Sequence, residues 1–266
     1  MKVFISADIE GTALTTLWDE CYPQTKSTAA LAGIQHTAEI KAACEGAIEA
    51  GATEIIVRDA HNSGTHIDVA RLPSCVKVIR GWSGDPLGMV YGIDETFDAA
   101  MFVGYHSAAG RVGNPLCHTE TTSTIWTKIN GKKSSEFQIY SWACAAFGVP
   151  SVFLAGDQML IDDFKDMHPK LITAAVKNGF GGSTICLHPE AACNLIREGV
   201  KTALSQDLSG ALCEVPKHFQ FDICYKEMTK AVAMSYYPGF QLMDDNSIRM
   251  ETDNYFDLLR SINFVL

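Results

Sequence analysis

The N-terminal stretch Met1-Lys-Val-Phe-Ile-Ser-Ala-Asp-Ile-Glu-Gly11 decides the fold. Val3, Phe4 and Ile5 make a short run of β-branched and aromatic residues. That pattern suits a strand buried on both faces, as in a parallel sheet covered by helices. Two carboxylates end the run. Side chains alternate along a strand, so Asp8 and Glu10 share one face and Ile9 takes the other. Neighbouring carboxylates repel each other, and a metal ion is the simplest compensating charge.

Outward from this strand, extended and helical patterns alternate. Residues 27–50 form an Ala-rich helical stretch closed by Gly51. Strands are expected at 53–57, 76–79, 99–103, 124–129, 151–155 and 184–187. Asn130-Gly131 marks a hairpin turn. Helices are expected at 136–147, 157–167 and from Pro189, a favoured first helical residue, to about Leu204. Strands alternating with helices predict an α/β fold: a largely parallel sheet flanked by helices. Gly179-Phe-Gly-Gly-Ser183 reads as a flexible loop. Beyond Ser209 the pattern breaks into short β-like pieces, His218–Cys224 and Ala231–Ser235. This predicts a catalytic α/β domain over 1–209 and a smaller C-terminal α+β portion over 210–266.

Composition narrows the function. The 266 residues are 47% apolar, enough for a sizeable core, and the net charge is −10. Nucleic-acid surfaces and polybasic membrane attachment both need the opposite charge. A cationic or zwitterionic substrate, or metal ions, suits an acidic chain. No apolar run reaches the roughly 20 residues needed to span a bilayer, and no signal-peptide pattern precedes the first strand. The nine cysteines are scattered, without a C-x-x-C pair. They read as reduced thiols in a cytoplasmic protein.

In open α/β sheets, ligands bind outside the carboxyl ends of the strands. Strand one ends in Asp8 and Glu10. Strand two runs into Arg58-Asp59-Ala-His61, strand four into Gly104-Tyr-His106, and the strand at 151–155 into Gly156-Asp157. Carboxylates and imidazoles converging on one edge form the mixed oxygen and nitrogen set of hydrolytic metal sites. It is large enough for two ions about 3.5–4 Å apart, with Asp8 as the natural bridge. Blander roles compete with this one. Asp59 suits a turn cap, Asp157 a helix N-cap, and Glu136 an exposed first-turn residue. His66, His168, His188 and His218 are read as structural. His118, in a loop twelve positions beyond His106, suits a general acid/base or a surface histidine equally.

Ser6-Ala-Asp-Ile-Glu-Gly11, Gly51-Ala-Thr-Glu-Ile-Ile-Val-Arg-Asp-Ala-His61, Phe102-Val-Gly-Tyr-His106, His118, Glu136 and Ala155-Gly-Asp157 together resemble the zinc D-aminopeptidases of the DppA type across roughly residues 1–205. The resemblance implies a self-compartmentalising peptidase with two zinc ions per subunit, assembled as a homodecamer of two stacked five-membered rings. It places the metal ligands on Asp8, Glu10, His61, His106 and Glu136, and the additional catalytic histidine on His118. The expected activity is hydrolysis of short peptides, with an N-terminal D-residue, by a metal-activated water. Zn²⁺ is the expected metal, with Mn²⁺ or Co²⁺ as alternatives. The rival expectations are another metal-dependent amide or phosphoester hydrolase, and a non-catalytic assembly protein with a vestigial site.

Overall fold

The computed structural model describes residues 1–22 and 29–266. Strand β1 (Lys2–Ala7) is the hub of a seven-stranded sheet. It pairs in parallel with β2 (Glu54–Asp59) on one side and β4 (Ala99–Tyr105) on the other. Ala7 thereby lies opposite both Asp59 and Val103. Beyond β2 comes β3 (Val76–Ile79). Beyond β4 come β7 (Ser151–Asp157), β8 (Ile172–Phe180) and β9 (Ser183–Cys186). The order is β3-β2-β1-β4-β7-β8-β9, parallel except for β9. The chain builds outward from β1 through β2 and β3, then restarts at β4 and builds the other way. The point of reversal lies between β1 and β4, where open sheets bind ligands.

The alternation within β1 sets the layers. Val3, Ile5 and Ala7 pack against Ile40, Ala43 and Ala47 of α1 (Ala30–Glu49) and Ile196 and Val200 of α4 (Pro189–Ser205). Small residues let these helices touch: a Cβ on Gly46 would sit 2.4 Å from the Arg197 carbonyl oxygen. Phe4 faces the opposite layer with Phe102, with Phe137 and Tyr140 of α2 (Glu136–Ala146), and with Phe164 of α3 (Gln158–Phe164). Each such fully buried side chain contributes roughly 1.5–3 kcal/mol.

A second, antiparallel sheet closes that layer, in the order β11-β12-β10-β5-β6. Its strands are β5 (Thr124–Ile129), β6 (Lys132–Lys133), β10 (Phe219–Tyr225), β11 (Phe240–Leu242) and β12 (Ser247–Thr252). Two helices, α5 (Met228–Met234) and α6 (Tyr255–Val265), accompany it. Phe221, Ile223 and Leu258 join the same core as Phe4.

Four local expectations differ from what is observed. The glycine-rich stretch 179–183 is the end of β8 and the turn into β9, with Phe180 paired to Ser183. Gly179 is needed there because a Cβ would meet the Gly113 carbonyl oxygen at 2.6 Å. Residues 231–235, expected as β-like, belong to the last turns of α5 and its cap. The helix expected over 157–167 stops at Phe164. The first helix, expected from residue 27, is observed from Ala30, and residues 27 and 28 lie outside the described residues. Among the described residues no helix is long and apolar enough to cross a membrane.

Candidate metal centre

β1 stops at Ala7, and Asp8–Gly11 fold over the end of β4. The Asp8 N–H donates to the Val103 carbonyl at 2.9 Å and the Gly11 N–H to the Gly104 carbonyl at 2.7 Å. The approach is backbone on backbone. A Cβ on Gly104, whose φ is +76°, would sit 2.0 Å from the Asp8 carbonyl oxygen. One on Gly11 would sit 1.8 Å from that of Tyr105. Ile9 points inward, against Cys21 and Leu116. Asp8 and Glu10 therefore emerge together, buried, on the side facing His61 and His106.

Three imidazoles surround them. His61 Nδ1 lies 3.4 Å from Asp8 Oδ1 and 3.1 Å from Glu10 Oε2. His106 Nε2 lies 3.4 Å from Asp8 Oδ2 and 3.1 Å from Glu136 Oε2. His118 Nε2 lies 3.7 Å from Glu136 Oε1, and its ring stacks on that of His106 with centroids 4.3 Å apart. Glu136 is the first residue of α2, behind the Ser135 cap, whose Oγ accepts from the Gln138 N–H at 3.2 Å.

Each ring is held from behind by a backbone carbonyl. His61 Nε2 contacts Cys21 O at 2.8 Å, His106 Nδ1 contacts Ser107 O at 3.0 Å, and His118 Nδ1 contacts Leu116 O at 2.8 Å. A carbonyl only accepts, so each ring donates a proton on that side, and a neutral ring would offer the lone pair of its other nitrogen to the cleft. This is how metal-binding histidines are oriented. Two of the acceptors, Cys21 and Leu116, are the residues Ile9 packs against, so the apolar side of the Asp8–Glu10 turn supports the groups that aim His61 and His118.

Charge repulsion and unpaired polar atoms are concentrated in this set. Burial and the neighbouring Glu10 charge hold Asp8 well above the usual carboxylate range. Burial opposes ionisation of Glu10 too, but His61 outweighs it and holds Glu10 low. Burial also disfavours protonated His61 and His106, yet the facing carboxylates hold both well above an ordinary histidine. His118, buried and beside His106, is held low and neutral. Asp8 Oδ2, Glu10 Oε2 and His106 Nε2 are enclosed without a hydrogen-bond partner among the described residues. One atom each from Asp8, Glu10 and His106 falls within 4.8 Å of the others, and the same holds for His106, His118 and Glu136. Buried polar atoms without partners are costly, and oxygen and nitrogen donors so placed fit a divalent metal.

The structure thus brings together all six residues, Asp8, Glu10, His61, His106, His118 and Glu136, around one cleft. It separates out the other two strand-end carboxylates. Asp59 accepts the Ile67 N–H at 2.8 Å in the turn behind His61. Asp157 is the α3 N-cap, accepting the Leu160 N–H at 2.9 Å, and it also takes the Ser107 N–H and hydroxyl and the Asn114 amide. Of the remaining histidines, His188 caps α4, His168 bonds Ser141 and His218 pairs with Asp253 on the surface. His66 lies beside His61, its ring centroid 4.9 Å away.

Other contributors carry no sequence signal. Lys177 of β8 is buried and donates to the carbonyls of Glu10 and Thr15. Asn114 donates to Glu10 O at 3.0 Å and to Asp157 Oδ2 at 3.0 Å. Trp18, Tyr22, Trp82 and Glu120 line the cleft, whose volume is about 380 Å³. Trp18 meets His118 edge-on, with ring centroids 5.3 Å apart.

Comparison with known proteins shows the family. A profile for the D-aminopeptidase family, peptidase family M55, matches residues 1–264. A D-aminopeptidase of Bacillus subtilis (strain 168) is 30% identical over 208 residues, covering 77% of this chain and 74% of the relative. The solved structure of the Zn-dependent D-aminopeptidase DppA from Bacillus subtilis, described as a self-compartmentalizing protease, superposes with a TM-score of 0.90 and 23% identity. The match covers 100% of this chain and 96% of that one. The chain belongs to the D-aminopeptidase family, a family of peptide hydrolases.

Proposed function

We propose that the chain is a dinuclear metal-dependent aminopeptidase that hydrolyses short peptides bearing an N-terminal D-residue. The observation that carries the reading is the three carbonyl-anchored histidines aimed at Asp8, Glu10 and Glu136. Three carboxylates balance the four charges of two divalent ions to within one unit, and neutral histidines add lone pairs without adding charge. Asp8, with one oxygen 3.4 Å from His61 and the other 3.4 Å from His106, would help to hold both ions. His61 and Glu10 would complete one ion's set, His106 and Glu136 the other's.

Bound zinc supplies Lewis acidity there, activating a water and polarising the scissile carbonyl. The chain's own contribution is orientation and proton handling. His118, its Nδ1–H fixed on Leu116 O, keeps Nε2 free to take a proton and pass it to the leaving amine. The D-preference is supported by the family description and by the names of the matching proteins. Residues 1–209 carry the catalytic machinery in this reading, and 210–266 form the smaller portion. Assembly as a homo-oligomer, a decamer of two pentameric rings, is supported by the description of DppA as self-compartmentalizing. A cytoplasmic location is the remaining part of the proposal.

The test is a matched set of D- and L-aminoacyl amides and phosphoesters with zinc-, manganese- and cobalt-loaded protein, alongside His118→Ala. Zinc-loaded protein should cleave the D-aminoacyl amides. His118→Ala should lower turnover ~10²–10⁴-fold, the range of a general acid/base, with zinc content unchanged. Cleavage of phosphoesters alone would sink the peptidase reading, and loss of zinc in the variant would make His118 a ligand instead.

A further inference from the structure

The cleft over the metal centre adjoins a second groove of about 450 Å³, and Trp82 and Glu120 line both. The groove's other walls include Asp85, Gly88, Tyr140 and Phe264 of the C-terminal helix. Three aromatic rings and two carboxyl groups line it, and among the described residues no lysine, arginine or histidine does.

Glu120 is held at the junction. Its φ is +62°, a left-handed conformation that non-glycine residues rarely adopt. Its N–H donates to Glu136 Oε1 at 2.6 Å, which ties this conformation to the metal centre. Its carboxyl takes the Tyr140 hydroxyl, and Oε1 stays enclosed without a partner among the described residues. Gly88 lets Tyr140 reach this position. A Cβ there would meet the Tyr140 hydroxyl oxygen at 2.5 Å, and its φ of +46° disfavours a side chain as well.

An enclosed carboxyl oxygen without a donor, beside aromatic rings, suits a hydrogen-bond donor, best a cationic one. An anion brings no donor, and an apolar group would leave the oxygen unsatisfied. Arg58 already lies over the Trp82 ring, 4.3 Å from its centroid; the remaining ring faces add attraction for ammonium and guanidinium groups, and the net charge of −10 favours the same sign. We propose that this groove is a substrate subsite for a basic side chain, an ammonium or guanidinium on an extended aliphatic stem, belonging to the peptide whose scissile bond lies at the metal centre. Glu120 is its specificity residue and Asp85 its outer partner. The proposal rests on the peptidase reading for the identity of the ligand.

The test is calorimetric titration of the zinc-loaded full chain with lysinol and norleucinol, in both enantiomers. These compounds share an α-amine and a stem, differ in the terminal ammonium, and contain no bond for the enzyme to cleave. Lysinol should bind at least ~10-fold more tightly, the gain of one charge-assisted contact. Glu120→Gln should bring the two to within about twofold, and Asp85→Asn should narrow the gap in part. Equal binding to the unmodified protein, or a preference that survives Glu120→Gln, overturns the proposal. Equal weakening of both compounds by Glu120→Gln also overturns it, since Glu120 would then hold the α-ammonium. If Glu120→Gln does not fold, a lysinol preference unaltered by Asp85→Asn counts against the subsite. A retained lysinol preference in a protein that cleaves no peptide would sink the peptidase reading and leave the subsite standing.

Discussion

Asp8 and Asp157 occupy equivalent places, one at the end of β1 and the other at the end of β7, on the same edge of one sheet. Their surroundings differ. Asp157 takes four donors, the Leu160 and Ser107 N–H groups, the Ser107 hydroxyl and the Asn114 amide, so both oxygens are used by the protein. Asp8 takes the Ile9 N–H at 2.9 Å on Oδ1, while its Oδ2 has no hydrogen-bond partner among the described residues and lies 3.4 Å from His106 Nε2. A carboxylate at a sheet edge is a brace when donors fill it and is open to a cation when they do not. Residue type and strand position are the same in both cases; the loops decide.

The comparison breaks if the two residues behave alike when removed. Asp8→Ala should abolish zinc binding at the paired site and lower hydrolysis ~10³-fold or more, the several kcal/mol a metal ion contributes, while the fold persists. Zinc analysis and turnover on the same preparation check this. Full zinc content in that variant would remove Asp8 from the metal set. Asp157→Ala should instead act on stability, costing about 3–5 kcal/mol because it breaks a buried hydrogen-bonded network. Denaturant unfolding reads this directly. An unchanged midpoint with lost zinc would reverse the assignment.

Glu39 of α1 sharpens the comparison as an intermediate case. One oxygen accepts the Ala13 N–H at 3.0 Å and the Gln35 amide at 2.9 Å, and the other has no partner among the described residues. No histidine faces it as His106 faces Asp8, and burial pushes its pKa up to about 7 from 4.5. A carboxyl with a raised folded pKa stabilises the protein fully below its unfolded value. That stability fades as pH rises from about 4.5 and is gone above about 7, a total of about 3 kcal/mol. Glu39→Gln should flatten the pH dependence of stability across this window relative to the unmodified protein. A slope unchanged by the substitution would mean that Glu39 is ionised in the fold throughout.

The same contrast explains what could be read from residue order. Val3-Phe-Ile, the stretch 53–57 and the stretch 99–103 read as strands from their apolar residues, and Asp8, Glu10, His61 and His106 follow them. Periodicity therefore located that edge and the polar residues on it. It also placed Asp59 and Asp157 there without distinguishing them, because their donors come from loops. The β8 strand was missed because Ile-Thr-Ala-Ala-Val-Lys-Asn-Gly-Phe180 has no clean alternation and ends in glycine. Lys177 within it would ordinarily be read as solvated, and only the fold shows it buried under the Glu10 carbonyl. Ala231–Ser235 is equally apolar as helix or strand, and packing decided it. Glu120 and Trp82 stand in loops whose course no local pattern encodes.

The backbone contact of Gly11 with Gly104 and Tyr105 has a consequence for how the centre exchanges its contents. With no side-chain layer between them, the segments bearing Glu10 and His106 have no sliding surface and part only by breaking the Asp8–Val103 and Gly11–Gly104 hydrogen bonds. Traffic into and out of the site then falls to its rim, where Trp18 is 37% and Trp82 46% exposed. Small molecules then pass at the mouth, between aromatic side chains, while the seam of two glycines holds the base of the site fixed.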